Sequence, residues 1–316
     1  MSEENISMSK TISIIVPVYN EEENLYLLTK RLEDVLKPTR YPFEIIFIDD
    51  GSTDNSVGII KEIASAKSNV SYILFSRNFG KDHAISAGLL RSKGDAVVTM
   101  DADLQHPPEL ILQMLEIWEE GNEVIYTYSE EKNIHAKGFN QIASRIFYHT
   151  INKLSDLELE DGLSDFRLLD KKVVTVLNRL SEDEPFFRGL VKWVGFKQVG
   201  IPYTPHARIG GESKYSKKAL TNLAIRGITS FSVKPLGIAV YIGFIIAILS
   251  ILYVPYAIYS YYAGFAISGW ASIIVTIAFF GGLQLIILGT IGIYLGKVFM
   301  QTKQRPHYII KETNIL

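Results

Sequence analysis

Ala96-Val97-Val98-Thr99-Met100-Asp101-Ala102-Asp103-Leu104-Gln105-His106 is the stretch that decides how the chain is built. Its apolar, β-branched opening reads as a buried strand. That strand delivers two carboxylates, one residue apart, to its carboxyl end. Ligands of open α/β sheets bind along that edge. Asp-x-Asp there can ligate a hard divalent cation, which can in turn hold the phosphates of a nucleotide. The plain alternative is a loop in which Asp101 and Asp103 cap the helix that follows Pro107-Pro108. The rest of the chain argues against that alternative.

Four further strands read the same way. Residues 11–18 (T-I-S-I-I-V-P-V) run into Tyr19-Asn20-Glu21-Glu22-Glu23, where Asn20 can cap a helix whose first turn is acidic. Residues 43–48 end in Asp49-Asp50-Gly51-Ser52-Thr53-Asp54, and residues 70–75 in Ser76-Arg77-Asn78-Phe79-Gly80-Lys81. The fourth strand is 97–100 and the fifth 123–128. Helical patterns separate them all, and this alternation predicts an α/β fold with a doubly wound, mostly parallel sheet. Residues 135–154 read as an amphipathic helix, residues 161–167 return to the sheet edge, 185–194 are helical and 196–203 form a strand. Every strand end carries carboxylates or polar groups, as a nucleotide pocket requires. No G-x-G-x-x-G follows the first strand, and no G-x-x-x-x-G-K-S/T occurs, so dinucleotide and P-loop sites are disfavoured. Phosphate binding falls to a cation and basic side chains.

Charge is unevenly spread along the 316 residues. Residues 206–234 hold six Lys/Arg against one Glu, whereas residues 1–205 hold 22 Lys/Arg against 32 Asp/Glu. Residues 235–296 then contain no Asp, Glu, Lys or Arg. Within them lie two apolar runs, 235–262 and 270–295, each longer than the roughly 20 residues that cross a bilayer as a helix. The short link 263–269 makes them a hairpin. Basic residues flank its outer ends and the link has none, which places both termini in the cytoplasm by the positive-inside rule. Residues 216–228 look like a basic amphipathic helix lying in the membrane interface. The polar stretch 1–10 carries no cleavable signal pattern. The absence of cysteine excludes a disulfide scaffold and thiolate metal sites. Four parts are expected: a cytosolic domain over 1–205, a juxtamembrane segment over 206–234, two transmembrane helices over 235–296 and a cytosolic tail over 297–316. No nucleic-acid partner is expected.

V-P-V-Y-N-E (16–21), D-D-G-S-T-D (49–54) and D-A-D-L-Q-H-P-P-E (101–109) resemble the inverting, GT-A-fold glycosyltransferases of family 2. S-R-N-F-G-K (76–81), F-R-G-L (187–190), R-I-G-G-E-S-K-Y (208–215) and the C-terminal hairpin narrow the resemblance to the polyprenyl-phosphate glycosyltransferases, the bactoprenol glucosyltransferase and dolichol-phosphate mannose synthase group. It covers roughly residues 11–300. The resemblance implies that Pro17, Tyr19 and Glu21 line the nucleoside pocket and that Asp50 receives the base or ribose. It implies that Asp101 and Asp103 hold the donor diphosphate through Mg²⁺ or Mn²⁺, with Gln105 beside them. Arg208, Ser213 and Lys214 would close over the diphosphate, and Asp165 would face the acceptor, with Asp165 and Asp103 as catalytic carboxylates. For Asp50 an Asx-turn before Gly51 stays open as a purely structural role.

Related enzymes carry Arg soon after the fifth strand to grip the acceptor phosphate. Here that place reads Tyr128-Ser129-Glu130-Glu131-Lys132, which leaves Lys132, Lys137 and Arg145 as candidates. The Q-x-x-R-W of processive polysaccharide synthases is absent at 188–193, so transfer of a single sugar is favoured. The implied reaction moves one hexose, from UDP-glucose first of all, to undecaprenyl phosphate at the inner (plasma) membrane, with the enzyme multi-pass and a homo-oligomer. GDP-mannose, a UDP-N-acetylhexosamine, a glycerolipid acceptor and a non-catalytic sugar-nucleotide-binding scaffold are the alternatives.

Overall fold

Four apolar runs dominate the computed structural model, which describes residues 10–129, 163–180, 182, 185–204, 229, 232–264 and 269–315. Strands β1 (Ile12–Val18), β2 (Phe43–Asp49), β3 (Val70–Phe75) and β4 (Ala96–Thr99) pair in parallel, β1 lying between β2 and β4. Ile14 stands opposite Ile45 on one side and Val98 on the other, and all three are fully buried. Continuous β-branched runs are what a sheet covered on both faces requires. Helices α1 (Leu25–Leu36), α2 (Ser56–Ala66) and α4 (Leu110–Glu119) pack with Ile12, Ile14, Phe47 and Val98. On the opposite face α3 (Lys81–Arg91), α5 (Lys171–Leu177) and α6 (Phe187–Trp193) pack with Ile15, Ile46, Ile48 and Val97. The doubly wound, mostly parallel sheet expected from the sequence is present.

Two strands were not expected. The sequence brings residues 161–167 only to the sheet edge. In the structure β6 (Leu163–Asp170) is inserted antiparallel between β4 and β5 (Val124–Ser129). Its alternation explains the placement: Phe166 and Leu168 join the α1/α2/α4 side of the core, and Leu169 joins the other. Asp165 and Arg167 share the parity of Leu169 and so face α3 and α6. β7 (Gln198–Tyr203) lies parallel outside β5, and β8 (Ile310–Thr313), within the C-terminal tail, pairs antiparallel with β3 at the far edge.

Helices α7 (Lys234–Tyr262) and α8 (Trp270–Thr302) are long and apolar enough to cross a membrane. At 1.5 Å per residue they are about 44 and 50 Å long, more than the ~30 Å of a hydrocarbon core. Ile245, Leu249, Leu285 and Ile286 on them are exposed. The Tyr294 hydroxyl donates to the Ser232 carbonyl at 2.7 Å, joining α8 to the residues just before α7. The amphipathic helices expected at 135–154 and 216–228 lie outside the described residues.

The turn after β2 is pressed against the loop after β3. Gly51 has φ +72°, and a Cβ there would stand 2.5 Å from the Arg77 carbonyl carbon and 2.6 Å from the Asn78 nitrogen. Gly51→Ala should therefore cost on the order of 1–3 kcal/mol in backbone strain alone. It should lower the thermal midpoint in a melting experiment; an unchanged midpoint would show that the two loops part at little cost.

Candidate active site

β1, β2, β3 and β4 run parallel, so Val18, Asp49, Phe75 and Thr99 end on one edge of the sheet. β6 enters from that edge: Arg167 stands opposite Thr99, which brings Asp165 level with Asp101. The Thr99 hydroxyl donates to the Asp165 carbonyl at 2.6 Å and fixes the two strands there. Beyond β4 the chain turns sharply, with Leu104 at φ +60°. The Gln105 N–H donates to Asp103 Oδ1 at 3.2 Å. Buried His106 closes the turn: its Nδ1 accepts the Asp101 N–H at 3.2 Å, and its Nε2 lies 2.8 Å from Ser164 Oγ. Since Nδ1 accepts, the proton sits on Nε2 and donates to Ser164. Burial holds the His106 pKa below its ordinary value, with Asp101 pulling the other way, so the ring is neutral at pH 7. The ring also stacks on Phe166, with centroids 5.1 Å apart. One histidine thus ties the Asp-x-Asp turn to β6 on the residue before Asp165.

Asp165 is 5% exposed and is the centre of the charge network. Arg188, in the first turn of α6, meets it with both ends of its fork: Nε to Oδ1 at 2.7 Å and Nη2 to Oδ2 at 2.9 Å. Lys81, the first residue of α3, approaches Oδ2 at 2.6 Å and also reaches Asp101 Oδ1 at 2.5 Å. Burial alone would raise the Asp165 pKa, but Arg188 and Lys81 hold it well below the ordinary aspartate value. Burial opposes the charge on Lys81, yet Asp101 and Asp165 keep its pKa above that of an ordinary lysine. Asp101 is also held below its usual value, Lys81 overcoming burial. Arg167, 2% exposed, donates to the Ser164 carbonyl at 2.6 Å and lies over the Phe187 ring. Its pKa falls to about 10 through burial, which the nearby Asp165 opposes. Asp82 is pushed up to about 6 by burial and by the charge of Asp165.

Pro17, Tyr19 and Glu21 sit at the end of β1 and just beyond it, with Tyr19 37% exposed. The Asp50 carboxylate is buried and accepts the Phe79 N–H at 2.7 Å and the Gly80 N–H at 2.9 Å. The Asx-turn belongs to its neighbour: Asp49 Oδ2 accepts the N–H groups of Gly51 and Ser52, each at 3.1 Å. Asp101, Asp103, Gln105 and Asp165 are brought to one edge. Lys132, Lys137, Arg145, Arg208, Ser213 and Lys214 lie outside the described residues. The sequence pattern alone assigns no role to Lys81, Arg188, Arg167 or His106, although Lys81 and Arg188 fall inside S-R-N-F-G-K and F-R-G-L. Among the described residues no three of His, Asp and Glu converge to hold an ion. A cation bound at Asp101 and Asp103 would draw its other ligands from phosphate or water, a donor set that suits Mg²⁺ and Mn²⁺.

Two carboxylates, Asp101 and Asp165, and two cations, Lys81 and Arg188, thus meet at one edge of the sheet, and comparison with known proteins gives the family. Residues 13–177 match the model of glycosyl transferase family 2. The chain is similar to the glycosyltransferase YkcC of Bacillus subtilis (strain 168), 42% identical over 305 residues, 95% of this chain and 93% of that one. It is also similar to the bactoprenol glucosyl transferase of Shigella phage SfX, 38% identical over 301 residues, 95% of this chain and 98% of that one. A solved structure of glucosyl-3-phosphoglycerate synthase from Mycobacterium tuberculosis, in complex with Mn²⁺, UDP and phosphoglyceric acid, overlaps 70% of this chain and 76% of its own at a TM-score of 0.48 and 18% identity. The chain belongs to glycosyl transferase family 2 and is a glycosyltransferase.

Asp165→Asn keeps the shape of the side chain and removes its charge, leaving Arg188 without its bidentate partner. Full burial of such a pair would make the loss 3–5 kcal/mol. Arg188 and Lys81 keep about a third of their side-chain surface exposed, so on the order of 1–3 kcal/mol is expected. A lowered thermal midpoint at pH 7 is the expected result. A midpoint at or above wild type would show that the network contributes nothing to the fold.

Proposed function

We propose that this glycosyltransferase moves a single hexose, from UDP-glucose in the first instance, to polyprenyl (undecaprenyl) phosphate at the cytoplasmic face of the membrane, with inversion at the anomeric carbon. The observation that carries the reading is the pair of cations, Lys81 and Arg188, drawn by buried Asp165 to the edge that also bears Asp101 and Asp103. A phosphate acceptor and a nucleotide diphosphate repel each other, and two cations between them lower that repulsion. The bactoprenol glucosyl transferases among the relatives support a polyprenyl phosphate as acceptor. Helices α7 and α8 support a membrane setting for it.

In this reading Pro17, Tyr19, Glu21 and Asp50 receive the nucleoside. Asp101 and Asp103, with Gln105 beside them, hold the diphosphate through Mg²⁺ or Mn²⁺, which supplies charge to the departing nucleotide. Arg208, Ser213 and Lys214 close over the diphosphate. Lys81 serves both sides, because it touches Asp101 and Asp165. Arg188 joins Lys132, Lys137 and Arg145 in holding the acceptor phosphate.

An oxygen of that phosphate attacks the anomeric carbon, the bond from that carbon to the diphosphate oxygen breaks, and the electron pair leaves with the nucleotide. No proton has to be removed, since a phosphate ester is already anionic near pH 7. Asp165 suits this, for a carboxylate with so low a pKa is a poor base. Its part is to hold Lys81 and Arg188 in place.

Full chain in nanodiscs with undecaprenyl phosphate should yield a lipid-linked hexose from UDP-glucose. Product from GDP-mannose or a UDP-N-acetylhexosamine instead would reassign the donor, and no lipid product from any donor would refute the reading. EDTA should abolish turnover, and Mg²⁺ or Mn²⁺ should restore it. Asp101→Asn and Asp103→Asn should each lower turnover by about a hundredfold or more, roughly 3 kcal/mol of lost stabilisation. Full activity in chelator would remove the metal from the account.

A further inference from the structure

The chain that follows α8 returns to the catalytic sheet. α8 ends at Thr302, and six residues later the Tyr308 ring stacks on Phe75 with centroids 4.9 Å apart. The Ile309 carbonyl accepts the Ser76 N–H at 3.0 Å, and β8 then runs antiparallel along β3 with Ile310 opposite Phe75 and Thr313 opposite Ile73. Its hold on β3 is specific. Glu312 pairs with Lys61 at 2.7 Å and accepts from the Tyr72 hydroxyl at 2.9 Å. Asn314 accepts the Tyr72 N–H at 2.7 Å.

Direction gives this contact its meaning. Because β8 is antiparallel, the chain meets β3 at Phe75, its carboxyl end, which is the edge bearing the site. Six residues span at most about 20 Å. The site edge is therefore tied within that distance of the end of α8. Phe75 meets Phe79 edge-on at 5.7 Å, and Phe79 lies two residues before Lys81 on the loop pinned by Asp50.

We propose that residues 303–315 form a strut that holds the catalytic edge at headgroup height, with Tyr308 anchoring it on Phe75. The proposal rests on the polyprenyl-phosphate reading for its kinetic consequence, though not for its geometry. An acceptor phosphate confined to the headgroup plane is met only if the site stays at that height, so the strut raises the effective concentration of acceptor at Arg188 and Lys81. A short, water-soluble prenyl phosphate has no such need.

Two variants separate the strut from simple folding. Tyr308→Ala with Glu312→Lys releases β8 from β3. An insertion of about a dozen Gly/Ser residues between Lys303 and Gln304 leaves β8 docked and lengthens the tether. In nanodiscs both should raise KM for undecaprenyl phosphate about tenfold or more, the scale of a lost tether. UDP affinity and turnover of the soluble prenyl phosphate should not change. The chain has no cysteine, so a dye on Thr53→Cys reports the height of the site edge above labelled lipid headgroups by energy transfer. That distance should grow in both variants. An unchanged distance, or equal losses on the soluble and lipid acceptors, overturns the strut. A greater distance with no transfer by wild type to either acceptor keeps the strut and refutes the acceptor reading.

Discussion

A carboxylate buried at the end of a strand must be paired or neutralised, and Asp165 is paired twice. Its two oxygens take the Arg188 fork and the Lys81 ammonium, and Lys81 carries the connection on to Asp101. The arrangement depends on four separate elements. β6 supplies Asp165 only because it is threaded antiparallel beside β4, and α3 supplies Lys81 from its first residue. α6 supplies Arg188, and the turn after β4 supplies Asp101. His106 and Thr99 lock the first and last of these contributions to one another through Ser164 and the Asp165 backbone. Charge placed in this way is preorganised: in the proposed reaction the cations would already be held before a phosphate arrives, leaving little reorganisation for the reacting step.

The same edge of the sheet is where the chain returns from α8. α8 leads through a short link to β8, and β8 lies along β3 with its amino end at the catalytic edge. A soluble nucleotide sugar can approach that edge from water, whereas a lipid phosphate cannot leave the headgroup plane. On the proposed acceptor reading, attaching the sheet by its carboxyl-end edge would reconcile the two demands without a moving part.

Much of this was legible in the sequence, and what was not has physical causes. β1 to β4 announce themselves because each is a continuous apolar run covered on both faces. β6 hides because Leu163-Ser164-Asp165-Phe166-Arg167 sets charged residues among apolar ones, and its neighbours are fixed only by long-range pairing. β8 is four residues, I-K-E-T, with three of them polar; its partner, the open edge of β3, decides its conformation. Asp-x-Asp was readable as a pair, and Asp165 as a third carboxylate. Lys81 and Arg188 were single basic residues in separate motifs, and only the fold shows that they converge. The Asx-turn considered for Asp50 falls one residue earlier, on Asp49, because Asp50 is turned toward the N–H groups of Phe79 and Gly80.

The central claim is that Asp165 works through the cations it holds. Affinity for a soluble prenyl phosphate, measured by titration calorimetry on wild type, Arg188→Gln and Asp165→Asn, tests it most directly. Both variants should weaken the acceptor by about tenfold or more, the worth of one charge-assisted contact. UDP affinity in Arg188→Gln should stay near wild type. Acceptor affinity retained in Asp165→Asn, with activity lost, would contradict the account and return Asp165 to the role of a base.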